Sequence, residues 1–186
     1  MRWKVILKTI NNNHCPSKEE CLILLERYDT PERVRRHCSR VAQVAEAVAV
    51  ELNRCGTNLD IPLIISAGYL HDIARVHSKH DKVGASYLTS IGLENVAKVT
   101  YDHTFHKIVH KGLEIDEEDV LCIADRVVLE DQYVGPEKRM AYITSKALMK
   151  FGEEKRDVLD KAASDFVEYI KELENFIGKK IAELLQ

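Results

Sequence analysis

The chain has no apolar run approaching the roughly 18 residues of a membrane span; its longest nearly unbroken apolar stretch is Leu63 to Leu70. The opening MRWKVILKTINNN is interrupted by Lys4 and Lys8 and is too short for a signal-peptide core, so a cytoplasmic location is expected. Only five cysteines occur: Cys15, Cys21, Cys38, Cys55 and Cys122. Their odd number, wide scatter and lack of any C-x-x-C exclude a disulfide framework or a zinc ribbon. Cys38 and Cys122 are expected to be small apolar fillers on helices. There is no excess of basic charge, the net charge being -3, which argues against a large nucleic acid as partner. No Gly-rich loop supports a P-loop, and no Ser-His-Asp or Cys-His pair supports a covalent route. Alternating apolar-polar runs and hairpin turn dipeptides are also missing, so no strand is expected.

What remains is helix, almost end to end. The 186 residues fit a single domain with one sizeable core. Ser17 followed by Glu20 reads as a capping box for a first helix through Leu25. Thr30-Pro31 reads as an N-cap with proline at the first helical position. Val34, His37, Val41, Val44, Ala45, Val48 and Leu52 then form an amphipathic stripe that ends near Gly56. Asp60 precedes the apolar stretch, a buried central helix with His71-Asp72 at its end. Further helices are expected over about 80–91, stopped by Gly92, and from Glu94 to about His106. Asp116 opens another, with Asp125 in its middle and acidic residues in its first turn. Pro136 opens a helix to about Phe151, and a last one runs from about Glu153 to Leu185. Residues 107–115 are expected as an ordered loop. On the last helix Phe166, Ile170, Leu173, Phe176, Ile177 and Ile181 keep helical spacing; core packing is the expectation and homodimerisation its rival.

Chemistry concentrates on His37, His71, Asp72 and Asp125. Adjacent side chains on a regular helix point about 100° apart, so His71 and Asp72 can share an ion only at a helix end or kink. His37 lies on an apolar, inward-facing stripe. Asp125 sits in LCIADRVV, where an ionised carboxylate is expensive to bury without a counter-charge. A divalent metal would supply that charge, and a salt bridge to Arg126 or another arginine is the alternative. Imidazole and carboxylate together suit Zn, Mn, Fe, Co or Ni.

The pattern H…HD…D, with LHDIAR around the central pair and IADRVV around the last Asp, resembles the HD-domain superfamily of metal-dependent phosphohydrolases over about residues 30–130. The resemblance implies an all-α, single-domain HD-type bundle over 1–186, with C-terminal helices over 136–186. It also implies that His37, His71, Asp72 and Asp125 ligate metal. The run HDKVGASYL is similar to a segment of HD proteins that bind two ions, which adds His80 and His103 as ligands and makes Asp72 a bridge. Small bacterial HDIG-type phosphohydrolases, including the symmetrical diadenosine tetraphosphatase branch, are the nearest likeness. ADRVVLEDQYVGPEKRM departs from that branch.

The resemblance implies one or two divalent ions and hydrolysis of a small phosphorylated substrate, such as a nucleotide, by metal-activated water. Asp72 and Arg75 are the expected catalytic residues. Arg75, Lys79, Lys82, Arg126 and His106 are the expected substrate contacts, each weighed against a solvated or structural role. His77 competes with His80, and His110 with His106, while Arg36 and His14 are expected to face outward. The charged run Glu130, Asp131, Glu137, Lys138 and Arg139 reads as a lid or a surface turn. Two other functions stay open: a di-iron oxygenase on the same ligands, and a nucleotide-sensing module without turnover.

Overall fold

The computed structural model describes residues 14–104 and 106–186; the N-terminal stretch read above for a signal core lies outside them. Ser17 and Glu20 exchange backbone hydrogen bonds in a full capping box and open α1 (Lys18–Arg27). Chain reversal at Asp29, whose φ is 56°, leads to α2 (Glu32–Arg54). Thr30 does not cap this helix as expected. Its hydroxyl is buried and donates instead to the Ile73 carbonyl at 2.7 Å, tying the start of α2 to the segment beside His71-Asp72.

Asp60 accepts from the Leu63 N–H and starts α3 (Ile61–Leu70), the central helix. It packs against α2 so closely that a Cβ on Gly68 would stand 2.6 Å from the Ala42 Cα. Only glycine permits that approach, and it is what brings His37 and His71 onto one side of the core. Gly68→Ala is expected to cost about 1–3 kcal/mol, because the clash is with backbone and no flexible side chain can yield. Denaturant unfolding checks this, and an unchanged midpoint would contradict the packing argument.

α4 (His80–Ser90) and α5 (Glu94–Thr100) form a pair that leans on α3. The fifth helix stops six residues earlier than the spacing suggests, and its end turns back through 101–104. A loop containing a short 3₁₀ turn, Gly112–Glu114, leads to α6 (Glu117–Asp125). Asp125 is thus the last residue of α6 rather than its middle, since Arg126 caps the helix there.

The expectation of no strand is corrected by a minimal hairpin, β1 (Val128–Leu129) and β2 (Gln132–Tyr133), paired antiparallel. Two residues per strand are too short to show alternation, and its turn uses Glu130 in the left-handed region, with φ 55°, in place of Gly or Asn. α7 (Gly135–Phe151) and α8 (Arg156–Ile177) follow. The expected single last helix is broken. Gly178 takes φ 71° as a left-handed C-cap, and 3₁₀ turns precede and follow α8.

The α2 stripe is buried at Val34, Val41, Val44, Ala45, Val48 and Leu52, and α8 contributes Phe166, Ile170, Leu173 and Ile177 to the same core. Ile181 joins them, while Phe176 remains 38% exposed. Eight α-helices and one tiny hairpin among the described residues make the fold all-α. Cys38 and Cys122 are buried free thiols, each with its pKa pushed up by desolvation. Among the described residues, no helix is long and apolar enough to cross a membrane.

Candidate metal centre

His71 and Asp72 leave α3 where its hydrogen bonding changes. After Leu70 the backbone continues with bonds to the third residue back, Ile73 to Leu70 and Arg75 to Asp72, a tighter winding than the α-helix. The expected helix end is therefore present at the pair. A helix also leaves its last four carbonyls without intrahelical partners, and His71 uses one of them. Its Nδ1 lies 2.9 Å from the Gly68 oxygen.

The same device recurs at the end of α5, where His103 Nδ1 lies 2.8 Å from the Thr100 oxygen. On α2, His37 Nδ1 lies 2.7 Å from the Glu130 oxygen in the hairpin turn. A carbonyl only accepts, so all three rings carry a proton on Nδ1 and turn Nε2 inward. Such second partners commonly fix the tautomer and orientation of a metal-ligating imidazole.

Those Nε2 atoms converge on carboxylates. His37 Nε2 is 3.0 Å from Asp125 Oδ1, His80 Nε2 is 3.1 Å from Asp72 Oδ1, and His103 Nε2 is 3.6 Å from the same oxygen. Ring centroids of His37 and His71 are 5.5 Å apart, those of His71 and His103 5.0 Å, and those of His80 and His103 5.5 Å. Donor atoms of His37, His71 and Asp72 lie within 4.8 Å of one another, as do those of Asp72, His80 and His103. The two groups share Asp72.

Two buried atoms here, His71 Nε2 and Asp72 Oδ1, have no hydrogen-bond partner. The contacts of Asp72 Oδ1 with His80 and His103 are close in charge but lack hydrogen-bond geometry. An orphaned lone pair and an orphaned carboxylate oxygen, both buried, are what a cation would satisfy. Ligands bound at 2.0–2.1 Å stand roughly 2.9–3.4 Å apart around a shared ion, a range that the His37–Asp125 and His80–Asp72 separations match. The residues fit a divalent metal.

Electrostatics agree. Burial pulls the His71 pKa down to about 4, so the ring is neutral and able to ligate at pH 7. Burial opposes ionisation of Asp72, but His71, His103, His80 and Arg75 outweigh it and hold the carboxyl well below its usual range. Asp125 is likewise lowered against the cost of burial, chiefly by its hydrogen bond to His37. Burial disfavours the charged forms of His37 and His103, yet the Asp125 and Asp72 carboxylates raise both. In His37 a proton on Nδ1 for Glu130 leaves Nε2 facing Asp125, a position that either a second proton or a metal ion can fill.

The cluster opens into a cavity of about 860 Å³ lined by His37, Asp72, His80, His103 and Asp125, and by Arg33, Arg36, Arg75, Arg126, Arg139 and Lys146. Arg75 sets Nη1 3.1 and 3.0 Å from the His80 ring nitrogens, and its Nε 3.4 Å from Asp72 Oδ2. Arg126 lines the cavity and also donates to the His106 carbonyl at 2.7 Å. Arg36 is exposed and pairs with Glu32 and Asp131.

Three expected substrate contacts do not line this cavity. Lys79 caps α4 in the left-handed region, Lys82 lies over the Tyr101 ring, and His106 faces Asp119 at 2.7 Å. His77 is exposed and meets Tyr28 edge-on, so His80 alone of that pair reaches the centre. His14 pairs with Glu20 at the surface.

Sequence reasoning did not single out Arg33, Tyr142 or Lys146, and left Arg139 undecided between a lid and the surface. Arg139 donates to the Asp125 carbonyl at 3.2 Å and approaches Asp125 Oδ1 at 3.4 Å. Helical spacing was the available signal: Arg33 stands four residues before His37, and 139, 142, 143 and 146 share one face of α7. The Glu130 carbonyl had no signal, because a backbone acceptor leaves no mark on residue type.

Comparison with known proteins places these residues in a family. A tRNA (cytidine(56)-2'-O)-methyltransferase of Thermoplasma volcanium is 28% identical over 180 residues, which is 90% of this chain and 48% of that protein. An uncharacterized protein of Methanocaldococcus jannaschii is 33% identical over 76 residues, 39% of this chain and 45% of its own length. The chain thus spans about half the length of the curated relatives it matches. No solved structure gives a significant match. The family model of the HD domain matches residues 34–129, the segment that carries His37, His71-Asp72, His80, His103 and Asp125, and the chain belongs to the HD-domain family.

Proposed function

We infer that this chain, read as one HD domain with C-terminal helices over 136–186, is a metal-dependent phosphohydrolase acting on a phosphate ester or anhydride of a small molecule such as a nucleotide. The observation that carries this reading is the set of three histidines with Nδ1 fixed by backbone carbonyls and Nε2 turned toward Asp72 and Asp125. His37, His71, Asp72 and Asp125 would hold one ion, and Asp72, His80 and His103 a second. When bound, such ions supply a water of lowered pKa and neutralise charge on phosphoryl oxygens.

The chain's own groups do the rest. Asp72, ionised at any physiological pH, accepts a hydrogen bond from the attacking water and so orients it. Arg75 and Arg139, flanking the two carboxylates, hold non-bridging phosphoryl oxygens by charge-assisted hydrogen bonds. Arg33 and Lys146 add positive potential at the rim, where the 41% exposed Tyr142 packs its ring against the Arg139 and Lys146 cations. His71, 1% exposed behind the cavity-lining ligands, keeps its ring neutral. The similarity to a tRNA methyltransferase supports no step here, because it spans only 48% of that protein.

Elemental analysis of the purified protein beside His80→Ala and His103→Ala tests the ligand set. A lower transition-metal content in both variants than in the unmodified protein, by about one ion per chain, is the expected result. A metal content unaffected by either variant would remove His80 and His103 from the centre. Arg75→Ala and Arg139→Ala should each lower kcat/KM roughly 10- to 100-fold, mostly through KM, since each removes one bond to a charged group. Steady-state phosphate release checks this, and an unchanged KM in both variants would remove the arginines from the substrate.

A further inference from the structure

Away from the cavity, the loop after α5 folds two histidines onto the start of α6. Asp119 is fully buried, and both of its carboxylate oxygens meet imidazole nitrogens. His106 Nε2 stands 2.7 Å from Oδ1, and His110 Nδ1 stands 2.8 Å from Oδ2. Asp116 Oδ2 lies 3.6 Å from the same His110 nitrogen. Donor atoms of His110, Asp116 and Asp119 all lie within 4.8 Å of one another. His106 Nδ1 faces Glu118 at 3.3 Å.

We propose that His110, Asp116 and Asp119 form a second, separate binding site for a zinc-like divalent cation, with His106 positioning Asp119. The ligand chemistry, one imidazole and two carboxylates, is that of a three-residue site completed by water. Edges of 2.8 and 3.6 Å bracket the roughly 3.3 Å expected between ligands around one tetrahedral ion. Asp116, Glu118 and Asp119 crowd this corner, and the nearby guanidinium of Arg126 is directed to the His106 carbonyl rather than to a carboxylate.

The N-terminal end of the α6 dipole disfavours a cation, and these three acids reverse the local sign. The His110 backbone is already fixed, its carbonyl accepting from the Tyr169 hydroxyl at 2.9 Å. A bound ion would therefore pin the loop over 106–115 between α6 and α8. Binding displaces the proton that His110 Nδ1 shares with Asp119, so affinity falls with falling pH.

The test is zinc stoichiometry on the full chain. Protein stripped with a chelator is dialysed against zinc, cleared of loosely held ion with a weak competitor, and analysed per chain. His110→Asn is the variant of choice, because His110 is 42% exposed and outside the core. Its fold is verified by circular dichroism. The proposal predicts one zinc fewer in His110→Asn than in the unmodified chain, whatever number the main centre holds. It also predicts that His71→Asn, which disables the main centre, keeps the ion lost in His110→Asn. Equal stoichiometry in the unmodified chain and His110→Asn overturns the proposal and leaves the cluster a set of hydrogen bonds. Loss of activity without that difference would bear on the main centre alone.

Discussion

Replacing His71 with Asn is expected to empty the main centre and cut phosphate release by more than about 100-fold. Changing an outer partner of a metal ligand typically costs roughly 10- to 100-fold in metal affinity or activity, and His71 is argued to be a ligand itself. The reason is specific to its surroundings. The ring is 1% exposed, its Nδ1 is committed to Gly68, and its Nε2 has no hydrogen-bond partner. An Asn at this position is shorter by most of a ring, so no donor reaches the point where Nε2 stands, while Asp72 remains buried with one neighbour fewer. Elemental analysis and phosphate release on one preparation provide the check. A variant that retains both its metal and its turnover would show that His71 is a satisfied core residue.

Metal-free protein should lose about 3 kcal/mol of stability as the pH falls from 7 to 4, an effect assignable to the same ring by its folded pKa of about 4 against 6.5. The sign follows from proton uptake. Between those values the unfolded chain binds a proton at His71 and the folded chain does not, so acid favours unfolding. Other groups act outside this window. His37 and His103 have raised pKa values; what they contribute is complete below 6.5 and fades as the pH rises above it. Asp72 and Asp125 have lowered values, so their contribution is present above the ordinary carboxylate range and lost only in stronger acid. Urea unfolding of chelator-treated protein at pH 7 and 4 reads the difference, with His71→Asn as control. A steep dependence in the unmodified chain and a shallow one in the variant is expected. Equal slopes would place the acid sensitivity elsewhere.

The chemistry of the centre was legible in sequence where residue type and helix register coincide. His37 announced itself by lying on an apolar stripe, and His71-Asp72 by closing an apolar helix, which is where adjacent side chains can share a target. His80 was separable from His77 only through the segment HDKVGASYL, since both stand within one turn. Less legible were features set by helix ends. Asp125 closes α6, and α5 stops at Thr100 so that His103 can return to a free carbonyl; neither boundary is dictated by local propensity. The hairpin escaped because two-residue strands carry no periodicity, although its Glu130 carbonyl fixes the His37 ring. Charge misled for the same reason. Lys79 and Lys82 flank His80 in sequence but lie outside the cavity, whereas Arg139, fourteen residues after Asp125, reaches it through tertiary packing of α7.

Phosphate release is the most direct test of the central claim. Protein loaded with manganese or iron is incubated with nucleotides and simple phosphate esters, beside the same protein stripped by chelator and beside Asp72→Asn. The account predicts turnover of at least one phosphorylated compound that disappears on chelation, returns on reloading, and is absent in Asp72→Asn. Stoichiometric metal with saturable nucleotide binding and no phosphate released from any of them would contradict it.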